Sequence, residues 1–214
     1  HTLIGNNGLT IEDLASFWQA IAKEFSTFKN IYGYGLMNEP HDLTPETSWF
    51  DMAQASINAI REVDTNTLIM VGGNDWSSAE RWIEQSDTLK YLKDPANNLA
   101  FEAHVYFDKD ASGTYKYSYE EEECYLEKGI DRVKPFVEWI KQNKFHGFIG
   151  EYGIPDNDPR WNETLDLFLG YLQENGINGT YWAAGPWWDS YFMAITPKDG
   201  KDRPQMPIIE KYTS

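Results

Sequence analysis

The feature that most limits what this chain can fold into is a repeated exchange of two hydrophobic periods along one uninterrupted run. Ile11, Leu14, Ala15, Trp18, Ile21, Ala22 and Phe25 recur at helical spacing behind Thr10, which stands as an N-cap, with Glu12 and Asp13 in the first turn. That is the pattern of an amphipathic helix. A strand-like segment over 31–39, rich in Ile, Tyr and Gly, follows, then an amphipathic run over 49–63 and an apolar strand over 67–72. Further strands are predicted over 99–106, 147–152 and 177–183. Between them, Leu126, Ile130, Val133, Val137 and Ile140 share one helix face, interrupted by Pro135, and Leu165, Phe168, Leu169 and Leu172 share another that Gly176 ends. Strands alternating with helices of this length imply right-handed crossovers and a parallel sheet. No low-complexity linker divides the run, so 1–214 reads as one domain.

The strand starts near 31, 68, 99, 147 and 178 are separated by 37, 31, 48 and 31 residues. Eight units of that size need roughly 290 residues, within the range of (β/α)8 barrels. This chain has five. It is either an open five-stranded α/β sheet or the C-terminal five-eighths of a TIM barrel.

Charge and composition remove several functions. Asp and Glu outnumber Lys and Arg by 34 to 18, for a net charge of −16, which repels phosphate backbones and argues against nucleic acid as a partner. No stretch approaches the ~20 uncharged apolar residues of a membrane span, so no membrane partner is expected. Cys124 is the single cysteine, which excludes an internal disulfide and a multi-thiolate zinc site. His1, His41, His104 and His146 lack a His-Glu-x-x-His spacing, so neither a metal nor a cofactor is expected. The 33 aromatic residues fit a heavily aromatic core or a cleft that stacks rings. The first residues carry no charged stretch followed by an apolar run, and a processed or truncated start would hide a signal peptide.

In parallel α/β proteins chemistry collects where strands finish, and there the residues are polar or aromatic. The first strand ends Met37-Asn38-Glu39-Pro40, the third His104-Val105-Tyr106, the fourth Gly150-Glu151-Tyr152-Gly153 and the fifth Tyr181-Trp182-Ala183-Ala184-Gly185. Alternation puts Gly33, Gly35, Met37 and Glu39 on one face, and Glu102, His104 and Tyr106 on one face of theirs. Two carboxyl groups on neighbouring rims are what glycoside hydrolysis requires, one protonated to donate to the leaving oxygen and one ionised to attack the anomeric carbon or activate water. Glu39 and Glu151 can fill those roles. A lone Glu is most often a solvated surface charge; it is the ordered set that distinguishes this pair.

Asn38-Glu39-Pro40, His104-x-Tyr106, Glu151-Tyr152-Gly153 and Trp182, in that order, resemble the family 5 glycoside hydrolases. Met37-Asn38-Glu39-Pro40-His41-Asp42, Gly73-Asn74-Asp75-Trp76 and Trp182-Ala183-Ala184-Gly185-Pro186-Trp187-Trp188 look especially like its endo-β-1,4-glucanases. The resemblance implies a retaining glycosidase acting on β-glucan polysaccharide or cello-oligosaccharide. Glu39 would be the general acid/base and Glu151 the nucleophile. Tyr106 would donate to Glu151 and keep it ionised, while a nearby negative charge would hold Glu39 protonated. Asn38 would bind the sugar 2-hydroxyl, His104 would orient the acid/base or the substrate, and Trp182 would form the floor under the sugar. Trp76, Trp187 and Trp188 would line glucose subsites, whereas Trp18, Trp49, Trp82, Trp139 and Trp161, in or beside predicted helices, read as core or helix packing.

The family also uses an Arg and a His from its second and third strands, which have no counterpart here; His1 is too near the terminus to be assigned as that histidine. Inward Glu102 has no Arg on any strand of this chain to meet it. Two completions are expected, an N-terminal barrel fragment or a second copy of the chain. The same resemblance covers mannanases and other β-glycanases, and a non-catalytic carbohydrate-binding half-barrel is the reading from another class. A polymeric substrate implies secretion. Asn162-Glu163-Thr164 and Asn178-Gly179-Thr180 are glycosylation sequons that matter only in a eukaryotic secretory route.

Overall fold

The computed structural model describes residues 4, 8–43, 47–188 and 190–213; His1 lies outside them. Thr10 closes a full capping box with Asp13 at the head of α1 (Ile11–Phe25), each side chain bonding the other's backbone N–H. In order then come β1 (Gly33–Gly35), α2 (Trp49–Arg61), β2 (Leu68–Gly72), the short α3 (Asn74–Ser77) and α4 (Trp82–Ser86), β3 (Leu99–His104), α5 (Lys128–Asn143), β4 (His146–Tyr152), α6 (Pro159–Glu174), β5 (Asn178–Tyr181) and α7 (Met206–Glu210). The strands form one parallel sheet in sequence order, β1-β2-β3-β4-β5.

The sequence places every strand and all four long helices, but three strands end early. Pairing of β1 stops at Gly35 rather than 39, β3 at His104 rather than 106, and β5 at Tyr181 rather than 183. Past β1 the chain leaves extended geometry, with Glu39 in the left-handed region at φ 46°. The rim residues therefore stand on the first residues of loops, held by the strand behind them. Pro135 does not interrupt its helix: α5 runs through it. Losing one backbone hydrogen bond there is offset by burial of Val133, Phe136, Val137 and Ile140 on the face that meets the sheet.

The core lies between the convex side of the sheet and the helices. Trp82, Phe101, Phe136 and Trp139 pack edge to face with centroids 4.6–6.4 Å apart. Trp49, Trp82, Trp139 and Trp161 are all at most 2% exposed, and Trp18 and Trp49 reach over to donate to the carbonyls of Leu36 (3.1 Å) and Gly72 (2.7 Å). The indoles of Trp18 and Trp49 thus fasten helices to the ends of strands, while Trp139 donates to Asp87 at 2.8 Å and Trp161 packs edge to face on Tyr115 and Tyr119. The other side of the sheet is concave: a Cβ added to Gly35 on β1 would stand 3.8 Å from a carboxyl oxygen of Glu102, two strands away.

Candidate active site

Four of the residues singled out in the sequence meet at the C-terminal end of the sheet. His104, whose side chain is 4% exposed, presents Nδ1 to Glu39 Oε1 at 2.7 Å and to Glu151 Oε2 at 3.7 Å. The Tyr106 hydroxyl donates to Glu151 Oε2 at 2.7 Å. One donor or acceptor atom from each of Glu39, His104 and Glu151 lies within 4.8 Å of the others, with a hydrogen bond joining His104 to Glu39 and the Glu151 carboxyl bonded to Tyr106.

A slip in strand register creates this meeting. Ala103 pairs with Ile149, but the next residue, His104, pairs with Glu151, so Gly150 is an extra residue in β4. The slip repeats against β5, where Ile149 faces Gly179 and Tyr152 faces Tyr181. Strict alternation from Ile149, fully buried under the helices, would turn Glu151 toward them as well. The bulge re-aims it into the concave side.

Burial pushes the Glu151 carboxyl above its ordinary pKa, against the positive charge of His104 and the Tyr106 hydrogen bond, which pull it down. The Tyr106 bond acts in the expected direction, favouring the ionised carboxylate, and burial opposes it. His104 shows the reverse balance. Burial disfavours its cation, but hydrogen bonds to Glu102 and Glu39 and the charge of Glu151 overcome that and hold its pKa at about 9.

The loop that follows β3 keeps Tyr106 in place through groups the sequence reading did not single out. Tyr115, buried, accepts from the Phe107 N–H (2.9 Å) and donates to the Gly153 carbonyl (2.6 Å), tying the ends of β3 and β4 together. Buried Arg132, on α5, donates to the carbonyls of Tyr106 and Lys109, and Asp108 accepts from the backbone N–H groups of Gly113, Thr114 and Tyr115. A cation on the apolar face of α5, next to Val133, is the one trace Arg132 leaves in the sequence.

The tryptophans divide. Trp76 shares a cavity of about 470 Å³ with Glu39, His104 and Tyr106, its back covered by the His41 ring stacked at 4.4 Å and 12°. Trp182 follows β5, its backbone N–H donating to the Tyr152 carbonyl (2.8 Å), and its ring meets Trp188 edge to face at 5.0 Å. Trp187 faces solvent, 89% exposed, and is not gathered with the others. Asn38 is exposed on the rim beside Glu39.

The sequence and the geometry agree with what the chain is similar to. The family model described as Cellulase (glycosyl hydrolase family 5) matches residues 1–187. Endo-beta-1,4-glucanase B of Emericella nidulans is 36% identical over 193 residues, covering 88% of this chain and 56% of that protein. The crystal structure of Pseudomonas stutzeri endoglucanase Cel5A superposes with a TM-score of 0.92 at 40% identity, covering 99% of this chain and 64% of that one; its complex with cellobiose gives 0.91 at 42% identity, covering 98% and 63%. The chain thus spans a little over half the length of the fungal relative and under two thirds of the bacterial one. Its five parallel strands are part of a (β/α)8 barrel, and the chain belongs to glycosyl hydrolase family 5, the cellulase family.

Proposed function

We propose that the protein is a retaining endo-β-1,4-glucanase, with Glu39 as acid/base and Glu151 as nucleophile. The observation that carries the reading is the spacing of the two carboxyl groups around His104, with oxygens of both inside a 4.8 Å cluster. Retaining glycosidases hold their carboxyl pair about 5–5.5 Å apart, whereas inverting ones leave about 6.5–9.5 Å for a water. In the first step a Glu151 oxygen attacks the anomeric carbon while Glu39 protonates the departing glycosidic oxygen. A covalent glycosyl-enzyme forms and the shortened glucan leaves. In the second step Glu39, now a carboxylate, takes a proton from water as the water oxygen attacks the same carbon and frees Glu151. Two inversions give net retention.

Around that exchange, Tyr106 donates to Glu151 and steers its free oxygen toward the sugar. Asn38 holds the 2-hydroxyl, where hydrogen bonds strengthen as the oxocarbenium-like state forms. Trp182 floors the sugar at the cleavage point, and Trp76 and Trp188 offer faces for neighbouring glucose units. Because a glucan polymer does not cross a membrane, the same proposal has the protein act outside the cell.

The test is hydrolysis of carboxymethylcellulose and cello-oligosaccharides, with the anomer of the product followed by NMR. Release of the β-anomer first, abolished in both Glu39→Gln and Glu151→Gln, is the expected result. An α-anomer released first, or hydrolysis unaffected by Glu151→Gln, overturns the assignment.

A further inference from the structure

Glu102 has no part in the two-carboxylate chemistry, and yet it is built into the centre of the site. It lies on β3 one inward position behind His104, with its side chain 19% exposed. Room for it is made by Gly150, where a Cβ would stand 2.0 Å from Glu102 Oε1 and 2.7 Å from its Cδ. Gly150 is also the extra residue of the β4 bulge, so the same position clears space for Glu102 and turns Glu151 inward.

The one ion pair that Glu102 makes among the described residues is with His104, Oε1 to Nε2 at 3.3 Å. The other ring nitrogen faces Glu39 at 2.7 Å. A carboxylate can only accept, and the carbonyl oxygen of a protonated carboxyl accepts as well, so a ring set between Glu102 and Glu39 is satisfied in both states of Glu39 when both nitrogens carry hydrogen. Three carboxyl groups surround this imidazole: Glu102 from β3, Glu39 from the loop after β1 and Glu151 from β4. Tyr106 stands one step farther, on Glu151.

We propose that Glu102 is a positioning residue, whose carboxylate holds His104 doubly protonated and turned with Nδ1 toward Glu39 and Glu151. This rests on the glycosidase reading above and adds to it a group that touches no substrate. Through His104 it keeps a positive charge between the catalytic pair. That charge favours the ionised nucleophile in the first step and the carboxylate of Glu39 in the second.

The experiment is NMR of the two ring nitrogens in protein labelled with ¹⁵N-histidine, titrated with pH, for the wild type, Glu102→Gln and Glu102→Asp. The wild type is expected to keep both His104 nitrogens protonated at pH 7. Glu102→Gln, which keeps the size and loses the charge, is expected to lower the midpoint by more than one pH unit, a tenfold loss of proton affinity, and Glu102→Asp to restore part of it. In the same variants, kcat on a cello-oligosaccharide falls about tenfold in Glu102→Gln and declines at lower pH than in the wild type, while KM stays within twofold. A singly protonated His104 in the wild type at pH 7 overturns the proposal without any variant, as does an unchanged midpoint in Glu102→Gln. If wild-type protein fails to cleave any glucan, the proposed activity falls and the nitrogen shifts still decide the Glu102 pairing.

Discussion

Glu151 stands opposite His104 because Gly150 is an extra residue in β4, and this one-residue slip turns a carboxyl that alternation would aim at the helices into the concave side of the sheet. The bulge acts on three groups together. It sets Glu151 within 2.7 Å of the Tyr106 hydroxyl, brings it to 3.7 Å from His104, and leaves a glycine where Glu102 needs space. Bulges beside active sites commonly re-aim a side chain in this way.

Tyr106→Phe removes the hydroxyl that donates to Glu151 and leaves the ring packed. A hydrogen bond to a charged group contributes about 1.5–3 kcal/mol, so kcat/KM should fall roughly 10- to 100-fold. Because that bond lowers the Glu151 pKa, its loss raises the pKa further, and the acid limb of the rate profile should move to higher pH. Rates measured from pH 4 to 8 check both; an unmoved acid limb counts against Glu151 as the group that must ionise.

Gly150→Ala drives a methyl into the Glu102 carboxyl. Overpacking of this kind costs about 1–3 kcal/mol, read as a lower denaturant midpoint at unchanged m-value. Adding Glu102→Ala in the same chain should recover most of the loss, which identifies the clash and not the bulge as its cause.

Asp64 ties the end of α2 to the start of β2. Burial resists its ionisation, but hydrogen bonds from the Thr67 hydroxyl and N–H, the Asn66 N–H and the Tyr34 hydroxyl prevail and lower its pKa from 3.8 to about 2. A carboxyl depressed in the folded state stabilises above its unfolded pKa, and that stabilisation is lost as pH falls through the folded one. Asp64→Asn should therefore be about 2 kcal/mol less stable than the wild type above pH 4, with the gap closing between pH 4 and 2. Urea titrations at pH 6, 4, 3 and 2 give the comparison.

Trp76 presents one face to the cavity beside Glu39 while His41 covers the other. A stacked ring contributes about 0.5–1.5 kcal/mol. Trp76→Ala should raise KM for a long cello-oligosaccharide roughly 2- to 10-fold and leave kcat within twofold. Trp187→Ala, at a ring that faces water, should change unfolding free energy by less than ~0.5 kcal/mol.

Much of the architecture is legible in the residues themselves. Thr10 with Asp13, the apolar faces of α1, α2, α5 and α6, and the five strand cores place every long element, because helix caps and hydrophobic period are local properties of the chain. Of the tryptophans in or beside predicted helices, Trp49, Trp82, Trp139 and Trp161 are core and Trp18 packs half-buried against it. At the rim, Glu39, His104, Tyr106 and Glu151 could be singled out because polar groups directly after apolar strands are conspicuous in any order of folding.

What the sequence determines by itself is thus the succession of βα units and which residues stand at their ends. Tertiary structure alone decided the distances and directions in which those residues meet. Glu39 comes to His104 across two strands and from a backbone at φ 46°, Trp187 turns outward while Trp182 and Trp188 meet edge to face, and Tyr115 joins two loops 38 residues apart. Each depends on register and curvature of the whole sheet. A side chain's direction alternates with period two only while pairing is regular, so a single unpaired glycine in β4 turns Glu151 to the side opposite the one that alternation from Ile149 gives it, and nothing local to Gly150-Glu151 marks it.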